Sequence, residues 1–157
     1  MADTFHQIHL QIIFAVKGRA NLLQKVWRQD VFKYMAGIIK GKGQKPIIVN
    51  GVSDHVHLFV GLKPSIKICD LVRDIKNNSS NHINDRKLLP GKFSWQEGYG
   101  VFSSECSEGH SQINQVYNYI LNQEQHHRKR TFREEYLDFL KKFEVEHDEK
   151  YLFQWIE

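Results

Sequence analysis

His55 and His57 flank one apolar residue in the run Asp54-His55-Val56-His57-Leu58-Phe59-Val60. Successive side chains on a strand point to opposite faces, so the two imidazoles project together while Val56 and Leu58 project from the other side. Two imidazoles held side by side on a stiff backbone make half of a divalent metal site. A second pair lies downstream. Tyr119 and Gln123 are four residues apart in a helical stretch and stack on one face. Gln123 offers a carbonyl oxygen, a hard donor that would complement two imidazoles around Mg²⁺ or Mn²⁺.

These residues need elements to hold them. Residues 5–17 alternate imperfectly and then run apolar through Ile13-Phe14-Ala15-Val16, which reads as a central strand. Residues 24–40 carry apolar side chains at helical spacing and end at Gly41 and Gly43. Residues 46–52 form a short strand, and a tight connection at Ser53-Asp54 leads into a strand over 55–62, so the two make a hairpin. Pro64 and Ser65 open a second helix with Ile66, Ile68, Leu71, Val72 and Ile75 as its buried stripe. It runs out in Asn77-Asn78-Ser79-Ser80-Asn81. Residues 93–103 read as a strand broken by Gly98 and Gly100. A third helix covers about 107–125. Its stripe of Ile113, Val116, Tyr117, Ile120 and Leu121 is about 140° wide, which makes Tyr117 a packing residue and sets Tyr119 at the edge of the buried side. A charged helix over 132–143 and a tail ending Tyr151-Leu152-Phe153-Gln154-Trp155 follow.

The order strand, helix, strand, strand, helix, strand is a split βαβ. The expected class is α+β, ferredoxin-like, with an antiparallel sheet, helices on both faces and the C-terminal helices carrying Tyr119. One domain over 1–157 is expected, with a core of about 5–126 and a helical extension over 127–157.

Composition narrows the chemistry. Apolar residues make up 41% of the 157, and no run approaches the roughly 18 to 20 needed to span a bilayer. Met1-Ala2-Asp3-Thr4-Phe5 lacks the basic and apolar regions of a secretory signal. Cys69 and Cys106 are the two cysteines, without CxxC spacing, which argues against thiolate-bound zinc and fits a reducing cytoplasm. A net charge of +4 and a pI near 9.0 lean toward a polyanionic partner.

With both pairs in view, the chain resembles the IS200/IS605-type single-tyrosine HUH transposases. His55-Val56-His57 and Tyr119-Ile120-Leu121-Asn122-Gln123 carry the likeness. Lys76-Asn77-Asn78-Ser79-Ser80 is similar to the family's Lys-x-x-Ser-Ser, and Trp95-Gln96-Glu97-Gly98-Tyr99 to its Trp-x-x-Gly-Tyr. The run His126-His127-Arg128-Lys129-Arg130 is similar to its basic stretch. The resemblance implies a DNA transposase that cuts and rejoins single-stranded DNA through a 5′-phosphotyrosine. Tyr119 would be the nucleophile, and His55, His57 and Gln123 the ligands of Mg²⁺ or Mn²⁺. It further implies hairpin DNA at transposon ends as substrate, a homodimer in which the tyrosine helix can serve the partner, and a DNA-associated place in the bacterial or archaeal cytoplasm. Arg73, Lys76, Ser80, Arg128, Lys129 and Arg130 would then touch the DNA backbone, and Trp95 or Tyr99 would stack on a base. No general base for Tyr119 is evident.

Other readings compete. A small-nucleotide hydrolase with HxHxH would need a third histidine where Phe59 stands. A two-histidine phosphoesterase would need two His-x-Thr/Ser motifs, and neither is present. A non-catalytic nucleic-acid-binding relic of the same fold has no reason to keep Tyr119 and Gln123 in register with the histidines. A domesticated relative that cuts repeated extragenic palindromes shares the chemistry and is not separable from a mobile-element enzyme here.

Overall fold

The computed structural model describes residues 5–103 and 110–142; the side chains of 19, 110–112 and 129 lie outside that description. Ser104, Glu105, Cys106 and the apolar tail therefore lie outside the described residues. The elements are β1 (Ile8–Ala15), α1 (Arg28–Gly41), β2 (Lys45–Gly51), β3 (His55–Leu62), α2 (Ile68–Asp85), β4 (Gly100–Ser103), α3 (His110–Leu121), α4 (Gln123–Lys129) and α5 (Phe132–Lys142), with a 3-10 turn at Lys17–Arg19. The strands form one sheet in the order β2-β3-β1-β4, each antiparallel to its neighbour. This is the expected ferredoxin-like α+β arrangement. No described helix is long and apolar enough to cross a membrane.

The apolar run in the first strand arises because β1 is central and buried on both faces. Leu10, Ile12 and Phe14 join Val56, Leu58 and Val60 on one face. There they pack against Val31, Phe32, Met35 and Ile39 of α1 and Leu71, Val72, Ile75 and Ile83 of α2. Ile13 and Ala15 face the other way with Phe102, under Phe132, Tyr136 and Leu140 of α5. Register pairs Ala15 with His55 and Ile13 with His57, so the histidines sit on that second face.

Several boundaries differ from expectation for identifiable reasons. α1 begins at Arg28 because Trp27 closes a turn onto the Gln24 carbonyl at 3.1 Å. α2 begins at Ile68 and runs through the polar stretch to Asp85. The serines do not end it: Ser79 and Ser80 donate back to the carbonyls of Lys76 and Asn77, at 3.2 and 3.1 Å. Ser79 also receives the Trp95 indole N–H at 2.9 Å, and Ile83, one turn on, is buried. The strand expected over 93–103 reduces to β4. Trp95 forms only an isolated pairing with Val16, and the Asn84 side chain brackets Phe93 through its N–H and its carbonyl, at 2.7 and 3.0 Å.

The third helix is two helices. Asn50 of β2 donates its amide to the last carbonyls of α3, Ile120 at 3.0 Å and Leu121 at 3.1 Å, and so satisfies groups a continuing helix would have bonded itself. The buried side of α3 is also turned from the expected stripe. Ile120 is buried, but Tyr117 is 37% and Leu121 50% exposed. The sheet meets α3 on the side of Tyr119 rather than of Tyr117.

Candidate metal and tyrosine site

β3 delivers His55 and His57 fully buried beneath α5. Each ring is oriented through its Nδ1. Asp54, in the hairpin turn, places Oδ1 2.7 Å from His55 Nδ1, and Gln11 of β1 places Oε1 3.1 Å from His57 Nδ1. An Nδ1–H donated to each oxygen leaves the Nε2 lone pair facing inward, the tautomer a metal requires.

Glu135 of α5 is the hub of what faces them, and it is itself fully buried. Its Oε1 lies 3.0 Å from His57 Nε2, 3.3 Å from His127 Nε2 and 3.6 Å from His55 Nε2. Its Oε2 accepts a hydrogen bond from the Tyr119 hydroxyl and one of 3.4 Å from the Gln123 amide. Gln123 is buried, with Oε1 3.1 Å from His127 Nε2. One donor atom from each of His55, His57, His127 and Glu135 lies within 4.8 Å of all the others. Rings close the surround: Phe132 stacks on His55 with centroids 3.9 Å apart, and His126 stacks on Tyr119 at 4.6 Å.

The electrostatics of the cluster favour a cation. Burial holds His57 below its ordinary pKa despite the pull of Glu135. Burial also acts to lower His55, but the Asp54 hydrogen bond and the charges of Asp54 and Glu135 outweigh it and raise that ring. Burial would raise Glu135, yet the three imidazoles hold its carboxyl well below the usual range, so it is ionised. Burial, then the charge of Glu135, pushes Tyr119 upward, and the phenol rests protonated. His55 Nε2 is buried without a hydrogen-bond partner. The Nε2 atoms converge on an ionised carboxylate whose charge is offset either by protons they carry or by a cation between them, and the donor set fits a divalent ion.

His55, His57, Tyr119 and Gln123, singled out by spacing, are thus brought together. His127 and Glu135 were missed. His127 extends the ladder Tyr119, Gln123, His127 at steps of four, a visible signal. Glu135 follows Phe132 by three and adjoins Tyr136, so it is a charged residue on the apolar side of its helix.

The proposed DNA contacts divide into two groups. Arg73, Lys76, Ser80 and Tyr99 line a cleft between α2 and the loop before β4, on the α2 side of the sheet, away from the histidines. Arg73 pairs with Asp70 and Asp74. The Lys76 ammonium binds the carbonyls of Gln96 and Gly98 at 2.8 and 2.6 Å, and burial brings its pKa down to about 8. The Ser80 hydroxyl is turned back to its own helix. Trp95 lines the same cleft but is buried, edge-on to Phe14 and Phe93. Tyr99 stays exposed. Arg128 is exposed, and the Lys129 side chain lies outside the described residues. Arg130, ion-paired with Asp138 at 2.7 Å, lines a cleft of about 390 Å³ that also opens onto Tyr119 and Glu135.

A family model, Transposase IS200 like, matches residues 4–123. The chain belongs to that family. The match ends at Gln123, so His127, Arg130 and Glu135 of this transposase lie beyond it. No curated protein matches. Two among the solved structures that share the transposase's fold are similar over most of this chain. One is a Deinococcus radiodurans R1 protein provisionally assigned as a transposase, 22% identical, with a TM-score of 0.59 over 78% of this chain and 95% of that one. The other is a REP-associated tyrosine transposase bound to a REP hairpin, 13% identical, with a TM-score of 0.57 over 81% and 74%.

Proposed function

We propose that this transposase cuts and rejoins single-stranded DNA through a covalent link to Tyr119, with hairpin DNA as its substrate. The observation that carries the reading is the Tyr119 hydroxyl held on Glu135 in the same buried cluster as His55 and His57. A divalent ion held by His55, His57 and Gln123 would supply charge neutralisation and Lewis acidity at the scissile phosphate. The chain's own groups do the rest. The scissile phosphodiester would enter the cleft beside Tyr119, with Arg130 on its wall to meet a non-bridging oxygen. The Tyr119 oxygen attacks phosphorus, the phenol proton passes to Glu135 Oε2, and the P–O3′ bond breaks. The departing 3′ oxygen takes up a proton, leaving a 5′-phosphotyrosine and a free 3′-OH. Attack by a 3′-OH on that ester reverses the step without external energy. The hairpin bound by the structurally similar REP-associated enzyme supports a hairpin substrate.

The test is a cleavage assay on hairpin oligonucleotides with single-stranded flanks, labelled at either end, with Mg²⁺ or Mn²⁺. One fragment should leave with a free 3′-OH while the other migrates with protein in SDS. Two free fragments would mean hydrolysis and would sink the reading.

A further inference from the structure

We propose that His127 and Glu135 are themselves metal ligands, so that this chain builds a three-histidine, one-carboxylate centre that prefers Mn²⁺ or a later first-row ion to Mg²⁺. The inference rests on the reading that His55 and His57 hold a metal.

Spacing is the first support. Bonds of about 2.1 Å from metal to nitrogen or oxygen set neighbouring donors about 3.0 Å apart in an octahedron and about 3.4 Å apart in a tetrahedron. Glu135 Oε1 stands 3.0, 3.3 and 3.6 Å from the Nε2 atoms of His57, His127 and His55, close to the edges of such a polyhedron.

The second support is how Glu135 is held. Its Oε2 is engaged by Tyr119 and Gln123, which leaves Oε1 to face the imidazoles. Phe132, Tyr136 and Leu140 seat α5 on the sheet, so the carboxylate is fixed by packing rather than swung in from solvent. One carboxylate thereby joins the metal to the nucleophile, Oε1 facing the imidazoles and Oε2 receiving the Tyr119 hydroxyl.

The donor set then argues the metal. Imidazole nitrogen suits transition ions, whereas Mg²⁺ favours oxygen ligands and keeps several waters. Here His55, His57 and Glu135 are fully buried and the His127 side chain is 12% exposed, which leaves little room for a hydrated ion. The opposing arrangement has Glu135 as a plug standing where the metal would go, and it predicts the opposite sign for the same variant.

Calorimetric titration of chelator-stripped, full-length protein with Mn²⁺, Zn²⁺ and Mg²⁺ separates these, with folding checked by circular dichroism. Wild type should bind one Mn²⁺ or Zn²⁺ per chain and Mg²⁺ at least 10-fold more weakly. Loss of an outer-sphere partner alone weakens metal binding about 10- to 100-fold, so Glu135→Gln and His127→Gln should each weaken Mn²⁺ at least that much. Should Glu135→Gln fail to fold, the partly exposed His127→Gln decides. Unchanged or tighter Mn²⁺ binding by these variants, with His55→Ala abolishing it, overturns the inference and leaves the underlying reading standing. Wild type that binds no metal, or His55→Ala that binds normally, removes both.

Discussion

Asp54 and Gln11 hold two different histidines in the same way. Each accepts an Nδ1–H, at 2.7 and 3.1 Å, and so turns an Nε2 toward the shared centre. Asp54→Ala should therefore keep the fold and weaken Mn²⁺ binding about 10- to 100-fold, measured by calorimetry; unchanged affinity would mean that Asp54 does not orient the ring. Tyr119→Phe should remove all covalent adduct and leave hairpin affinity within about twofold by fluorescence anisotropy, because only the nucleophilic oxygen is lost. Much of this residue-level site was legible in advance. His55 and His57 share one strand, Tyr119 and Gln123 are one helical turn apart, and local period alone aligns each pair. Glu135 was not legible as a partner of His57. The two are 78 residues apart, and they meet only because α5 folds back over the sheet.

At the scale of elements, the β2–β3 hairpin fixes where His55 begins. A Cβ on Gly51 would run into the His55 carbonyl oxygen, which is backbone and has nowhere to go. Gly51→Ala should cost about 1–3 kcal/mol or more in denaturant unfolding and lower metal affinity along with it; a variant as stable as wild type would show that the hairpin has slack. Lys76 ties α2 to the loop before β4. Its pKa is brought down to about 8 from an ordinary 10.5, so the folded chain prefers it neutral and the unfolded chain binds the extra proton in between. Its burial penalty is complete below pH 8 and is relieved as pH rises. The stability of wild type minus that of Lys76→Met should therefore increase from pH 8 to 10. A flat or falling difference in urea melts at the two pH values would contradict the buried ammonium. Strands and the first two helices were readable because their apolar periods are strong. The true end of α2 was not, since the buried Ser79 receives the Trp95 indole from 16 residues away, a contact no local pattern announces. Nor was the break at Asn122, which depends on Asn50 of another strand.

For the whole molecule, the C-terminal helices cover the sheet's second face and also carry Tyr119, Gln123, His127 and Glu135. Ile13, Ala15 and Phe102 are sealed by Phe132, Tyr136 and Leu140, so the candidate metal site and the smaller core stand or fall together. The net charge of +4 suits a polyanionic strand. If exposed Arg128 meets a phosphate, Arg128→Ala should make the salt dependence of single-strand affinity shallower by about 0.7 in log–log slope; an unchanged slope would remove it from the interface. The central claim is that Tyr119 carries the DNA. The direct measurement is peptide mapping by mass spectrometry after incubation with hairpin DNA and Mn²⁺, beside a sample containing chelator. The predicted result is a nucleotide mass on the peptide containing Tyr119, fragmentation placing it on that residue, and no adduct in chelator. Strand cleavage with the adduct on Tyr117, or with no adduct at all, would contradict it.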